Sequence, residues 1–330
     1  MTHIETTSRD TVRAGTTPGR SGRLGRRAVA MASIAGIAVL AAACAGGSAA
    51  PSGSSSGKSI VVTYSVLGAV VKDLVGSAAT VTVLMPNGSD PHDWAPSAKD
   101  IETMTRADLL VENGLNLEGG MGDAFNQAEK AGVKRFIASD HISVRHVGAG
   151  EGIDTSADQV AGAPDPHLWM DPLTMKDVVA ALAPELRADL GIDVSARAAD
   201  LEARLTALND QLVAILNTVP APERSLVTGH ESLGYFAQRY GYKLIGAIIP
   251  SLSTQAESSA ASLAALEAKI RAAGVKAVFT EVGTDASVAQ AVGTDTGAKV
   301  VELTTHALPP DGSYFTFMTN IANLVAENLK

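Results

Sequence analysis

The sequence predicts an α/β protein of two lobes, each with a mainly parallel sheet flanked by helices, bridged by one long rigid helix. Three observations predict it. From residue 60 onward, β-rich apolar runs alternate with stretches of helical periodicity, the pattern of parallel strands joined by crossover helices. Residues 195–218 keep uninterrupted helical spacing through Leu201, Leu205, Leu208, Leu212, Ile215 and Leu216. A second alternating set then follows. Hydrophobic residues make up 46% of the 330 but aromatics only 4%, so the cores must be built from Ala, Val, Leu and Ile.

The chain opens on a segment that stands apart from the fold. Arg9, Arg13, Arg20, Arg23, Arg26 and Arg27 precede a short apolar run, 28–43, that ends in small residues before Cys44. A basic leader, a short apolar stretch and small residues before a cut site describe a secretory signal over 1–43. The run is shorter than the roughly 20 residues a membrane span needs. Cys44 is the single cysteine, which excludes an internal disulfide and a Cys-rich metal cluster. Its position resembles a bacterial lipobox, with Ala41 where Leu is usual, and predicts acylation and a lipid anchor in the cell membrane. Residues 44–58 are rich in Gly, Ser and Ala and read as a flexible tether.

Strands are expected at 60–66, 80–85, 108–112 and 134–138, with helices over 70–75, 96–107 and 124–130. Residues 139–164 carry Gly148, Gly150, Gly152 and Gly162 with little periodicity, and a mobile loop is expected there. Residues 172–189 read as helix. The segment 195–218, with Ser195 available as its cap, would span roughly 36 Å and connect the lobes rigidly. Beyond it, strands are expected at 225–228, 243–248, 277–280 and 299–303, and helices at 231–240, 254–273, 287–296 and 315–329. Gly241, Gly274 and Gly297 each follow a helical stretch, the usual place of a helix-ending glycine. The expected divisions are a first lobe at 59–193, the connecting helix at 194–219 and a second lobe at 220–330.

Six of the 26 basic and two of the 35 acidic residues lie in 1–43, so the remainder carries 20 basic against 33 acidic residues, a formal charge of −13. Such a surface repels nucleic acid and favours cations.

Four of the seven histidines have unusual surroundings. Asp90-Pro91-His92-Asp93-Trp94 and Asp165-Pro166-His167-Leu168-Trp169 repeat one pattern, D-P-H-x-W, and contain both tryptophans. A lone histidine at a strand end is an ordinary surface residue; the repetition is what singles out His92 and His167. His230 follows the strand at 225–228 and His306 follows the strand at 299–303, at carboxyl ends where open α/β sheets present ligands. Two imidazoles from each lobe facing one cleft would form a four-coordinate nitrogen site suited to zinc. His141 and His146 fall in the glycine-rich loop and are expected to be solvated.

These motifs resemble those of the zinc and manganese solute-binding lipoproteins of ATP-driven importers, the cluster A-I family. The resemblance covers nearly all of 58–330 and rests on three segments: 89–97 (SDPHDWAPS), 165–172 (DPHLWMDP) and 229–241 (GHESLGYFAQRYG). It implies two α/β lobes bridged by one helix, with metal ligands at His92, His167 and His230. It also implies delivery to a membrane permease and a monomeric, extracytoplasmic protein that is not an enzyme. A histidine at the third position goes with zinc in this family and a glutamate with manganese, in line with ligand softness. The fourth position departs from the family pattern: His306 stands where an aspartate is usual, and Glu281 matches a glutamate near the site. The fourth ligand is therefore His306, Glu281 or water, with His306 favoured. The long histidine-rich loop of many zinc members is reduced here, which argues against a metal-gathering role for 139–164.

Other readings remain at this level. A zinc hydrolase would show an H-E-x-x-H helix, and none is present. A surface adhesin with a structural metal, or another cargo such as Mn²⁺, would carry the same motifs.

Overall fold

The structure, a computed structural model, describes residues 57–148, 151 and 161–330. The signal segment, Cys44, most of the tether and the tip of the glycine-rich loop lie outside the described residues. The first lobe contains β1 (Ser59–Val62), α1 (Ser65–Val75), β2 (Thr80–Val83), α2 (Ala98–Thr105), β3 (Leu109–Glu112), α3 (Gly122–Lys130) and β4 (Lys134–Ile137). Then come α4 (Pro172–Leu190) and α5 (Ser195–Leu216). The second lobe contains β5 (Ser225–Thr228), α6 (Gly234–Tyr240), β6 (Lys243–Ala247), α7 (Ala260–Ala273), β7 (Ala277–Thr280), α8 (Ala286–Thr296) and β8 (Lys299–Glu302), and α9 (Tyr314–Leu329) closes the chain.

Both sheets are parallel and share one topology, β2-β1-β3-β4 and β6-β5-β7-β8. In each, the first strand lies between the second and third, so the connections depart to opposite sides and leave a crevice at the strand ends. The α/β architecture of two parallel sheets and one long helix is the one the sequence predicts. Among the described residues, no helix is long and apolar enough to cross a membrane.

Several boundaries differ from expectation for local reasons. The strand expected at 60–66 ends at Val62, because α1 begins at Ser65. The two apolar runs fuse in the sequence because β1 is buried and α1 buries Val66, Leu67, Val70 and Val71 directly after it. Ser195 is the first residue of α5 rather than its cap; Val194 occupies the cap position, and the Ser195 N–H is taken by Asp193 Oδ1 at 3.0 Å. Pro96 lies outside α2, which starts from a reciprocal capping box between Ser97 and Asp100. The helix expected from residue 254 starts at Ala260, after a box between Ser259 and Ser262; serine side chains upstream bond the backbone instead. The helix expected from residue 231 starts at Gly234, since the Glu231 N–H bonds the Ser251 carbonyl and Ser232 turns to Glu281.

α5 is 22 residues long, roughly 33 Å, and buries Ala198, Leu201, Leu205, Leu208, Leu212 and Leu216 against α4 and α9. α9 leaves the second sheet and packs on α5 and α1, so the apolar core does not divide at residue 220. One face of β5 and β6, with Leu226 and Leu244, joins this shared core. The opposite face, with Val227 and Ile245, packs on α7 and α8 in a second core, as the two-residue period of a strand requires. A continuous apolar core across both lobes restricts their relative motion to small displacements.

Candidate metal centre

Each half of the repeated D-P-H motif uses the same local device. Asp90 Oδ1 accepts the His92 N–H at 3.0 Å, and Asp165 Oδ1 accepts the His167 N–H at 3.0 Å. An aspartate bonding the backbone two residues on, with proline fixing the residue between, makes a rigid turn that aims the histidine. Asp90 Oδ2 is taken by the Thr254 hydroxyl at 2.6 Å, which ties this turn to the second lobe. Asp165 Oδ1 also faces His167 Nδ1 at 2.9 Å.

The second lobe supplies His230, two residues beyond β5, and His306, four residues beyond β8. Glu281, just beyond β7, stands between them. Its Oε1 accepts the His230 N–H at 3.0 Å and lies 3.0 Å from His230 Nδ1; Ser232 and Thr305 hydroxyls complete its partners. His306 Nδ1 contacts Thr305 Oγ1 at 3.0 Å. The loop bearing His306 is also fastened to the first lobe, where Trp169 Nε1–H donates to the Thr305 carbonyl at 3.0 Å. Asn87 pairs with both backbone groups of Leu308 at 2.8 Å.

The structure brings all four histidines together. His92 Nε2 is 3.3 Å from His167 Nε2, which is 3.1 Å from His230 Nε2. Ring nitrogens of His92, His230 and His306 lie within 4.8 Å of one another. All four are buried, His92 at 7% exposure being the most accessible. Donors on a tetrahedral ion with bonds of 2.0–2.1 Å stand roughly 3.4 Å apart, close to the spacing found around His167.

Asp165 takes the Nδ1–H of His167 and Glu281 faces Nδ1 of His230, so each presents Nε2 to the other. Two buried Nε2 atoms 3.1 Å apart need either a shared proton or a metal cation between them. Burial, reinforced by the neighbouring imidazoles, pushes His92 well below the usual range and His306 down to about 3. Burial lowers His167 as well, and Asp165 opposes it only in part. His230 moves the other way: burial pulls it down, but Glu281, with Asp90 and Glu231, outweighs burial and raises it. Burial would raise Glu281, yet His230 and its hydrogen bonds hold it at about 2. Of the four imidazoles His230 is thus the one whose protonated form is favoured by its surroundings, and His306 Nε2 is buried without a partner.

His141 and His146 lie apart and exposed; His141 stacks on Phe136 with ring centroids 4.5 Å apart. Glu281 has its oxygens engaged by His230, Ser232 and Thr305. The supporting roles of Asp165, Thr305 and Trp169 are not called by motif reading, although the repetition of Asp and Trp in D-P-H-x-W is the signal that marks two of them.

The family model described as zinc-uptake complex component A, periplasmic, matches residues 60–328. A metal ABC transporter substrate-binding lipoprotein of Streptococcus parasanguinis, FimA, is 28% identical over 299 residues, covering 87% of this chain and 93% of its own. A manganese ABC transporter substrate-binding lipoprotein of Streptococcus pneumoniae, PsaA, is 27% identical over 301 residues, with the same coverages of 87% and 93%. Among solved structures, the periplasmic zinc-binding protein TroA of Treponema pallidum superposes with a TM-score of 0.70 at 25% identity, covering 82% of this chain and 99% of that one.

Proposed function

The chain belongs to the zinc-uptake complex component A family, and from that premise we propose that it is the extracytoplasmic, lipid-anchored component of a metal ABC importer that captures Zn²⁺ between its lobes and passes it to a permease. It is a substrate-binding protein and not an enzyme, as its relatives are. His92, His167, His230 and His306 are the ligands, and Glu281 orients His230 rather than binding metal. Cys44 is the site of lipidation, and the mature protein works as a monomer.

The observation that carries the choice of zinc is the donor set. Four buried imidazoles meet, and the nearest carboxylate is already committed to His230, Ser232 and Thr305. Nitrogen donors in a tetrahedral arrangement suit Zn²⁺, whereas Mn²⁺ prefers oxygen donors and higher coordination. Two further features fit capture and release. The ligands come from both lobes, so the ion bridges them, and the shared core keeps the closing movement small.

Manganese is the second reading, favoured by the relatives named for it, such as PsaA. Elemental analysis of protein purified without added metal, followed by competition between Zn²⁺ and Mn²⁺, decides between the two. Zinc is expected to be retained and to displace manganese at equimolar concentration, the sense of the affinity order for nitrogen sites. Retention of manganese against equimolar zinc would refute the assignment.

A further inference from the structure

Resting on the reading of His167 as a ligand, we propose that Arg145 is a positioning residue that sets the His167 imidazole by clamping Asp165. Arg145 comes from the glycine-rich loop, yet its side chain is only 4% exposed. A guanidinium so buried must be paired, and Nη1 meets Asp165 Oδ2 at 3.0 Å while Nη2 meets Glu151. Its backbone is fixed on both sides: its N–H donates to the Tyr235 hydroxyl at 2.9 Å, and its carbonyl accepts the Asp165 N–H at 2.9 Å. His146 bridges Pro164 alongside, so the loop's two stems run together into the D-P-H turn.

The two copies of the motif supply an internal comparison. Asp90 spends Oδ2 on a hydroxyl, from Thr254, while Asp165 spends Oδ2 on the Arg145 guanidinium. The charged partner holds the carboxylate plane, which leaves Oδ1 facing both the His167 N–H and Nδ1. That contact fixes the Nδ1–H tautomer and keeps Nε2 bare for a cation. Gly234, the first residue of α6, backs the pair from the second lobe. A Cβ there would stand 2.1 Å from Asp165 Oδ2 and 2.5 Å from Arg145 Nη1, so only glycine admits this approach.

The test uses the metal-free protein with ¹⁵N-labelled histidine, whose long-range ¹H–¹⁵N spectra report each imidazole tautomer, together with zinc affinity by chelator competition. Wild type is expected to show His167 in the Nδ1–H form. Arg145→Met is expected to mix its tautomers, leave His306 unchanged and lower zinc affinity roughly 10–100-fold, with Arg145→Lys recovering most of the loss. Gly234→Ala, which keeps the charge and crowds the pair, is expected to disturb the same His167 signal and serves if Arg145→Met does not fold. An unaltered His167 tautomer with affinity within about twofold of wild type, or equal changes at all four histidines, would overturn the proposal. Failure of the wild type to bind zinc would instead refute the function proposed above, since the tautomer is read without metal.

Discussion

Replacing His230 by alanine is expected to weaken zinc binding by about a hundredfold to a thousandfold, measured by competition with a chelator. Zinc sites of four protein ligands bind with roughly 10–16 kcal/mol, so one ligand accounts for about 3 kcal/mol. His230 is the severest of the four to lose. Its Nε2 stands 3.1 Å from His167 Nε2, and its Nδ1 faces Glu281, so its removal also leaves a buried carboxylate without its cationic partner. His141→Ala and His146→Ala, which change exposed residues outside the cluster, are expected to leave the affinity at the wild-type level. Equal losses from the exposed and buried substitutions would mean that histidine content, and not the site, governs binding.

Zinc should also stabilise the fold strongly, and in a pH-dependent way. At free zinc a thousand times Kd, binding adds about 4 kcal/mol, which for a fold of this size raises Tm by roughly 7 °C. Scanning calorimetry at pH 7.5 with and without a chelator measures it. The metal-free protein carries its own pH dependence. His92, His167 and His306 have folded pKa values below the unfolded value of about 6.5, so their contribution is complete above that pH. It is lost as pH falls towards about 3, where His306 titrates. His230, raised in the folded state, acts in the opposite sense: its contribution is complete below about 6.5 and is lost as pH rises through its folded pKa. Zinc competes with protons for the ring nitrogens, His230 above all because its folded pKa is raised, so the gain in Tm should shrink as pH is lowered from 7.5 to 5. A Tm increment that stays constant over that range would contradict imidazole ligation.

Much of this was legible in the residues themselves. The strands at Ser225–Thr228 and Ala277–Thr280 appear as expected because each is a short apolar run between clear breaks. His230 and His306 could be placed just after strands from the pattern of apolar runs, and the repeated D-P-H-x-W tied His92 and His167 to one purpose. Less legible was anything that depends on contacts across the fold. Nothing local in Ile60–Val66 says where a buried strand passes into a buried helix. The serines of 251–259 resemble a helix start until their hydroxyls are seen bonding the backbone. The bond from the His230 N–H to Glu281, the bond from Trp169 to the Thr305 carbonyl and the pair of Arg145 with Asp165 join residues 20 to 136 positions apart in sequence, and single-sequence periodicity carries no record of such pairs. The return of α9 to the first-lobe core is of the same kind.

X-ray absorption at the zinc edge of the loaded, soluble protein is the most direct probe of the inner shell. Imidazoles of both lobes gathered on one ion predict four nitrogen neighbours at about 2.0–2.1 Å, with the outer scattering of histidine rings, and loss of one ring's share in His306→Ala. A shell dominated by oxygen, six neighbours in number, or one unchanged by removing His306 would contradict it.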